Sequence, residues 1–137
     1  MIYNQDCLEA MQEMKDNQFD LAIVDPPYGI GDFRNTKSLK HHKKIDWNNN
    51  IPDSNYFKEL KRISKNRIIF GVNYYGKHVN DVGRIVHDKT GGGKRNAPKG
   101  LSDCDIASHS FGVNMKIVVF GVGFLKKLNR LLGVIFY

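Results

Sequence analysis

Cysteine is scarce: Cys7 and Cys104 are the only two in 137 residues, and they form no CxxC pair. That excludes a disulfide-framed scaffold and a thiolate zinc site, and it predicts reduced thiols in a cytoplasmic protein. Proline is scarce too, four in all, and two of the four are adjacent. No apolar run approaches the ~18–20 residues that a membrane span requires. The opening Met1-Ile2-Tyr3-Asn4-Gln5-Asp6 has no basic segment followed by an apolar one, so no secretory signal is predicted. Acidic residues are in the minority, 14 against 21 Lys and Arg, which leaves a net charge of +7. A basic domain of this size points toward polyanions, nucleic acid foremost, although other soluble proteins share the property. What is plentiful, 41% hydrophobic and 11% aromatic residues, supports one folded domain over the whole chain.

Along the chain, Ile2-Tyr3-Asn4 reads as a short strand. Asp6 precedes apolar residues at helical spacing (Leu8, Met11, Met14), with Glu9 three positions on, a start resembling a capping box. Asp16-Asn17 closes that helix. Phe19-Asp20-Leu21-Ala22-Ile23-Val24 is a nearly continuous apolar run, the pattern of a buried parallel strand, and it stops at Asp25-Pro26-Pro27 because proline cannot extend a central strand. A polar stretch over 29–53 reads as a long functional loop. Ser54 is expected to cap a helix that buries Tyr56, Phe57, Leu60 and Ile63 and ends at Asn66. Strands are predicted from Arg67 to Gly71, from Gly83 to His87, at Ile106-Ala107 and from Ile117 to Phe120, with a short helix over 73–82 and a basic-faced one over 125–132. Strands alternating with helices predict an α/β sheet with helices on both faces, whose ligands gather beyond the C-terminal strand ends. Asp25 falls at such an end.

The chemistry available at Asp25-Pro26-Pro27-Tyr28 is specific. The exocyclic amine of a nucleobase is a poor nucleophile because its lone pair is delocalised into the ring. Acceptors aimed at its N–H bonds draw the nitrogen toward tetrahedral geometry. Asp25 offers a carboxylate and Pro26 a backbone carbonyl, while the prolines bring no competing donor and stiffen the turn. Tyr28 offers a flat ring for an extruded base. Positioning and charge stabilisation suffice for such a transfer, with no enzyme nucleophile. Tyr74 and Tyr75 are candidates for the same pocket, although aromatic residues beside a strand are more often core.

Val24-Asp25-Pro26-Pro27-Tyr28-Gly29 resembles the catalytic motif of the N6-adenine and N4-cytosine DNA methyltransferases. The segment from Asn4 to Met11, the stretch from Arg67 to Tyr74, that from Arg84 to Lys89, and Ser102-Asp103-Cys104-Asp105-Ile106-Ala107 are also similar to family segments, so the resemblance covers roughly residues 1–110. It implies a Rossmann-like methyltransferase sheet and a methyl transfer from S-adenosylmethionine to a flipped base in duplex DNA. Asp25, Pro26, Pro27 and Tyr28 are then catalytic, and Asp6 and Cys7 line the cofactor site. The leading aspartate favours adenine over cytosine. An RNA or protein methyltransferase and an inactive DNA-binding remnant are the alternative functions.

Arg34, Lys37, Lys40, Lys43 and Lys44 lie close together with no acid among them. They are the candidate DNA contacts, each expected to make log K fall by about 0.9 per log unit of salt; a solvated charged loop is the plainer alternative. Trp47 beyond them could stack or wedge. His41-His42 lack companions for a metal, so no metal site is predicted. The basic run over 89–99 lacks the spacing of a phosphate loop and reads as a flexible surface loop, with a part in holding DNA and a plain solvated loop as equal alternatives. The His-Pro-x-x-Lys-Pro and DPFxGxG segments implied by the resemblance are absent, and Phe120-Gly121-Val122-Gly123 has no acid before it. The expectation is therefore a catalytic domain incomplete before its cofactor glycine turn. Oligomeric state and any partner restriction enzyme are left open.

Overall fold

The computed structural model describes residues 5–31, 48–90 and 102–117 and the backbone of residues 118–119 and 135–136. Strand β1, Phe19–Val24, sits where the apolar run predicts it and pairs in parallel with β2, Ser64–Phe70. The sheet order is β5-β3-β4-β2-β1-β6, with β3 at Gly83–Asp88, β4 at Cys104–His109, β5 at Met115–Val119 and β6 a two-residue strand at Ile135–Phe136. Five strands thus form an open mixed sheet, and β6 extends it beside β1. The molecule is α/β.

Strand β4 alone is reversed, lying antiparallel to both β2 and β3. A parallel return needs a crossover of a dozen or more residues, usually a helix. The β3–β4 link is rich in Gly and Lys and has no helical period, so β4 returns as the second arm of a wide hairpin. Strand β5 then crosses past the start of β3 and pairs with it in parallel, Arg84 opposite Met115.

Helix α1, Cys7–Gln12, begins as its sequence predicts: the Asp6 carboxylate accepts from the backbone N–H groups of Leu8 (2.8 Å) and Glu9 (3.2 Å). It ends earlier than the Asp16-Asn17 stop, and Asn17 occupies the left-handed region at φ 52° while its N–H reaches Arg62 O. Helix α2, Ser54–Ile63, is capped by Asp53 rather than Ser54, its carboxylate accepting from Asn55 and Tyr56. It stops at Ile63 rather than Asn66, because Ser64 Oγ donates back to Leu60 O as the chain turns into β2. The helix expected over 73–82 shrinks to α3, Val72–Tyr75, and a 3₁₀ turn at Gly76–His78.

One hydrophobic core holds Met11, Ala22, Val24, Leu60, Ile63, Ile69 and Tyr75, all buried. Residues of α1, α2 and α3 all feed this single cluster; among the described residues no helix forms the second layer expected on the opposite face. Ile23, on that opposite face, is nonetheless buried. Met115 and Ile117 of β5 are exposed. No helix among the described residues is long and apolar enough to cross a membrane. The segments 1–4, 32–47, 91–101 and 120–134 and residue 137 lie outside the described residues, and with them the first predicted strand, the late helix and the Gly121/Gly123 pair.

Candidate active site

Strand direction decides what meets at the sheet's edge. Strands β1, β2 and β3 run the same way, so Asp25, Gly71 and Lys89, each one residue past a strand, emerge on one side. The reversed β4 starts there, which brings Asp105 to the same rim. Ligands of α/β sheets collect at such a rim because several chain ends converge there.

The Asp25–Tyr28 corner is fixed from several directions. The Tyr28 hydroxyl donates to Asp25 Oδ1 at 2.5 Å, which orients the carboxylate and leaves Oδ2 to accept from another group. The Tyr28 backbone N–H donates to Asn48 Oδ1, and Asn48 Nδ2 donates to Gly31 O, both at 2.8 Å. Gly31 N–H returns a bond to Asn48 O at 2.8 Å. Asn48 is buried and so pins the residues that follow the motif. Pro26 O lies 3.5 Å from the Tyr75 hydroxyl, whose single proton goes to Phe70 O in a shorter bond, so the proline carbonyl keeps its accepting capacity. Gly71 shows why no side chain is tolerated beside this corner. It sits at φ 74°, and a Cβ there would run into the Tyr28 ring and the Tyr75 hydroxyl.

Two recesses flank the corner. On the side of Asp25, Pro26 and Pro27 is a cleft of about 630 Å³ that also includes Asp6, Cys7 and Tyr56. Among the described residues, every charged residue lining it is an aspartate (Asp6, Asp25, Asp53), although the chain as a whole is strongly basic. On the side of Tyr28 is a smaller recess of about 360 Å³ with Tyr74, Asn73, Lys89, Cys104 and Asp105 in its wall. Lys89 Nζ donates to Asp105 Oδ1 at 2.8 Å, and His87 Nδ1 lies 3.5 Å from Asp105 Oδ2.

These surroundings tune the titratable groups. Asp25 is solvent-exposed as a residue, yet lost hydration of its carboxyl is the largest influence on it and raises its pKa above the ordinary aspartate value of 3.8. The Tyr28 hydrogen bond opposes that shift, the Asp105 charge adds to it and the Lys89 charge opposes it. Tyr28 is pushed well above the ordinary phenol range by burial and then by Asp25, so it remains a donor. Burial and then Asp6 push the Cys7 thiol up, which keeps it neutral and ill-suited to nucleophilic work.

No family model and no curated protein matches the chain. What the site can do therefore rests on its own chemistry. Of the residues predicted from sequence, Asp25, Pro26, Pro27, Asp6 and Cys7 come together around one cleft, and Tyr28 stands between that cleft and the smaller recess. Arg34, Lys37, Lys40, Lys43 and Lys44 lie outside the described residues. The Tyr74/Tyr75 ambiguity resolves into one residue of each kind: Tyr75 is fully buried core, and Tyr74 is exposed at the site. Sequence reasoning missed Asn48 and Asp53, and it placed Lys89 and Asp105 in family-like segments without giving either a role at this site. Only the Asp53-Ser54 pair before an amphipathic helix carried a local signal; the others act through partners distant in sequence.

Proposed function

We propose that this chain transfers a methyl group from S-adenosylmethionine to the exocyclic amine of a base in DNA, adenine N6 foremost, on a Rossmann-like methyltransferase scaffold. The observation that carries this is the Asp25 carboxylate held by Tyr28 at the junction of an all-aspartate cleft and an aromatic recess. A cleft of 630 Å³ suits a nucleoside-sized ligand. Its acids favour a cationic ligand and disfavour one bearing phosphates. S-adenosylmethionine carries a sulfonium and an ammonium against a single carboxylate, so it is net cationic and fits; Asp6, Cys7 and Tyr56 would hold it. When bound, it would supply an electrophilic methyl group, its S–CH3 bond breaking to leave a neutral thioether.

The chain's own residues supply position and acceptors. Asp25 Oδ2 and the Pro26 carbonyl each accept an N–H of the target amine, turning its lone pair out of the ring plane. As the nitrogen gains its methyl carbon it gains positive charge, and Asp25, already negative, stabilises that charge and takes up the proton released. Tyr28 holds the carboxylate in register through its hydroxyl. The aspartate at the head of the motif and the resemblance to amino-group DNA methyltransferases support adenine in DNA as the substrate.

The test is a paired measurement on Asp25→Ala. Methyl transfer to unmethylated phage DNA should be lost, while DNA affinity stays within about twofold of the unaltered chain. Equal loss of both would contradict the assigned role, because it would make Asp25 a structural residue.

A further inference from the structure

The Tyr28 ring is already stacked on one face. Tyr74 lies parallel to it, with ring centroids 4.7 Å apart and planes 8° from coplanar. The two partners are held very unequally. Tyr28 is half-buried and is fixed by Asn48 through its backbone, by Asp25 through its hydroxyl, and by Gly71 and Tyr75 against its ring. Tyr74 is 41% exposed, rides on the one-turn helix α3, and its hydroxyl has no hydrogen-bond partner among the described residues. Both rings line the recess beside the Asp25 acceptor, with the Lys89–Asp105 pair in the same wall. A parallel aromatic pair with one fixed and one exposed member can part by the thickness of one ring at the cost of a single stacking contact, and a base entering restores two.

We propose that Tyr74 is the second wall of the base slot: the extruded base enters between Tyr28 and Tyr74 and is clamped by both rings, its amine facing Asp25. This rests on the methyl-transfer function proposed above. In the absence of DNA, Tyr74 takes the base's place on Tyr28 and keeps that apolar face from water. Stacking, being tolerant of which base is present, gives Tyr74 a role in binding, while the choice of amine is left to Asp25 and Pro26.

Steady-state methyl transfer to unmethylated phage DNA, with S-adenosylmethionine affinity titrated alongside, tests this on the full chain and on Tyr74→Phe and Tyr74→Ala. Tyr74→Phe should stay within about twofold of the unaltered chain, since only the ring is required. Tyr74→Ala should raise KM for DNA by about tenfold or more, with methyl-donor affinity unchanged because Tyr74 is not part of the donor cleft. An unchanged KM in Tyr74→Ala overturns the second-wall role and leaves methyl transfer standing. Parallel loss of donor affinity would mean local collapse and would overturn it equally. If the unaltered chain transfers no methyl group, this role and the function beneath it fall together.

Discussion

Asp25 has to be ionised to accept an amine proton, yet its carboxyl sits where ionisation is disfavoured, chiefly by lost hydration. Two consequences follow from the sign of that shift. The acid limb of kcat/KM should lie above the ordinary aspartate value of 3.8 rather than at or below it, as a pH–rate profile will read. For stability, a carboxyl whose pKa is raised on folding contributes fully below its unfolded value, and the contribution is lost as pH rises through the folded value. Asp25→Asn should therefore melt at the same temperature as the unaltered chain or higher at neutral pH, with the gap closing in acid, although it is inactive. A lower melting temperature at neutral pH would mean that the carboxylate is structural. Much of this residue-scale picture is legible in the sequence, because a diproline corner after an apolar strand is a local signal. Asn48 and Asp105 are not legible: each acts through contacts 16 or more positions away, Asp105 with Lys89 and His87, Asn48 with Tyr28 and Gly31.

At the scale of elements, legibility follows the strength of the local stop signals. Strand β1 has the predicted bounds because the Asn17 turn and the two prolines enclose it. Both Asp53 and Ser54 are good caps, and only backbone geometry chooses the first, which is extended at ψ 177°. Ser64, Lys65 and Asn66 do not look like a strand, yet they pair with β1 through Phe19↔Ser64 and Leu21↔Asn66, a long-range partner overriding weak propensity. The direction of β4 is not read from the sequence; the link before it carries no helical period. One element contact is sharply testable. Gly83 faces His109 across the β3–β4 ladder, and a Cβ on Gly83 would overlap the imidazole, which is buried and donates from Nε2 to Asn114 O at 2.9 Å. Gly83→Ala should cost about 1–3 kcal/mol in a denaturant melt, whereas an alanine there without penalty would mean that the imidazole is free to move aside.

For the whole molecule, the notable feature is separation of charge. The chain is basic, while the cleft beside Asp25 is lined by three aspartates. Under the proposed function, a polyanion would be attracted to the molecule as a whole and a cation to that one cleft, and the two would meet at the carboxylate between them. The open, mixed sheet makes this possible by bringing the ends of β1, β2 and β3 and the start of β4 to one rim. The most direct measurement is mass spectrometry of the nucleosides released from unmethylated phage DNA after incubation with the purified chain and isotope-labelled S-adenosylmethionine. N6-methyladenine carrying the label, and none with Asp25→Ala, is the predicted result. No labelled base, or the same label with Asp25→Ala, would contradict it.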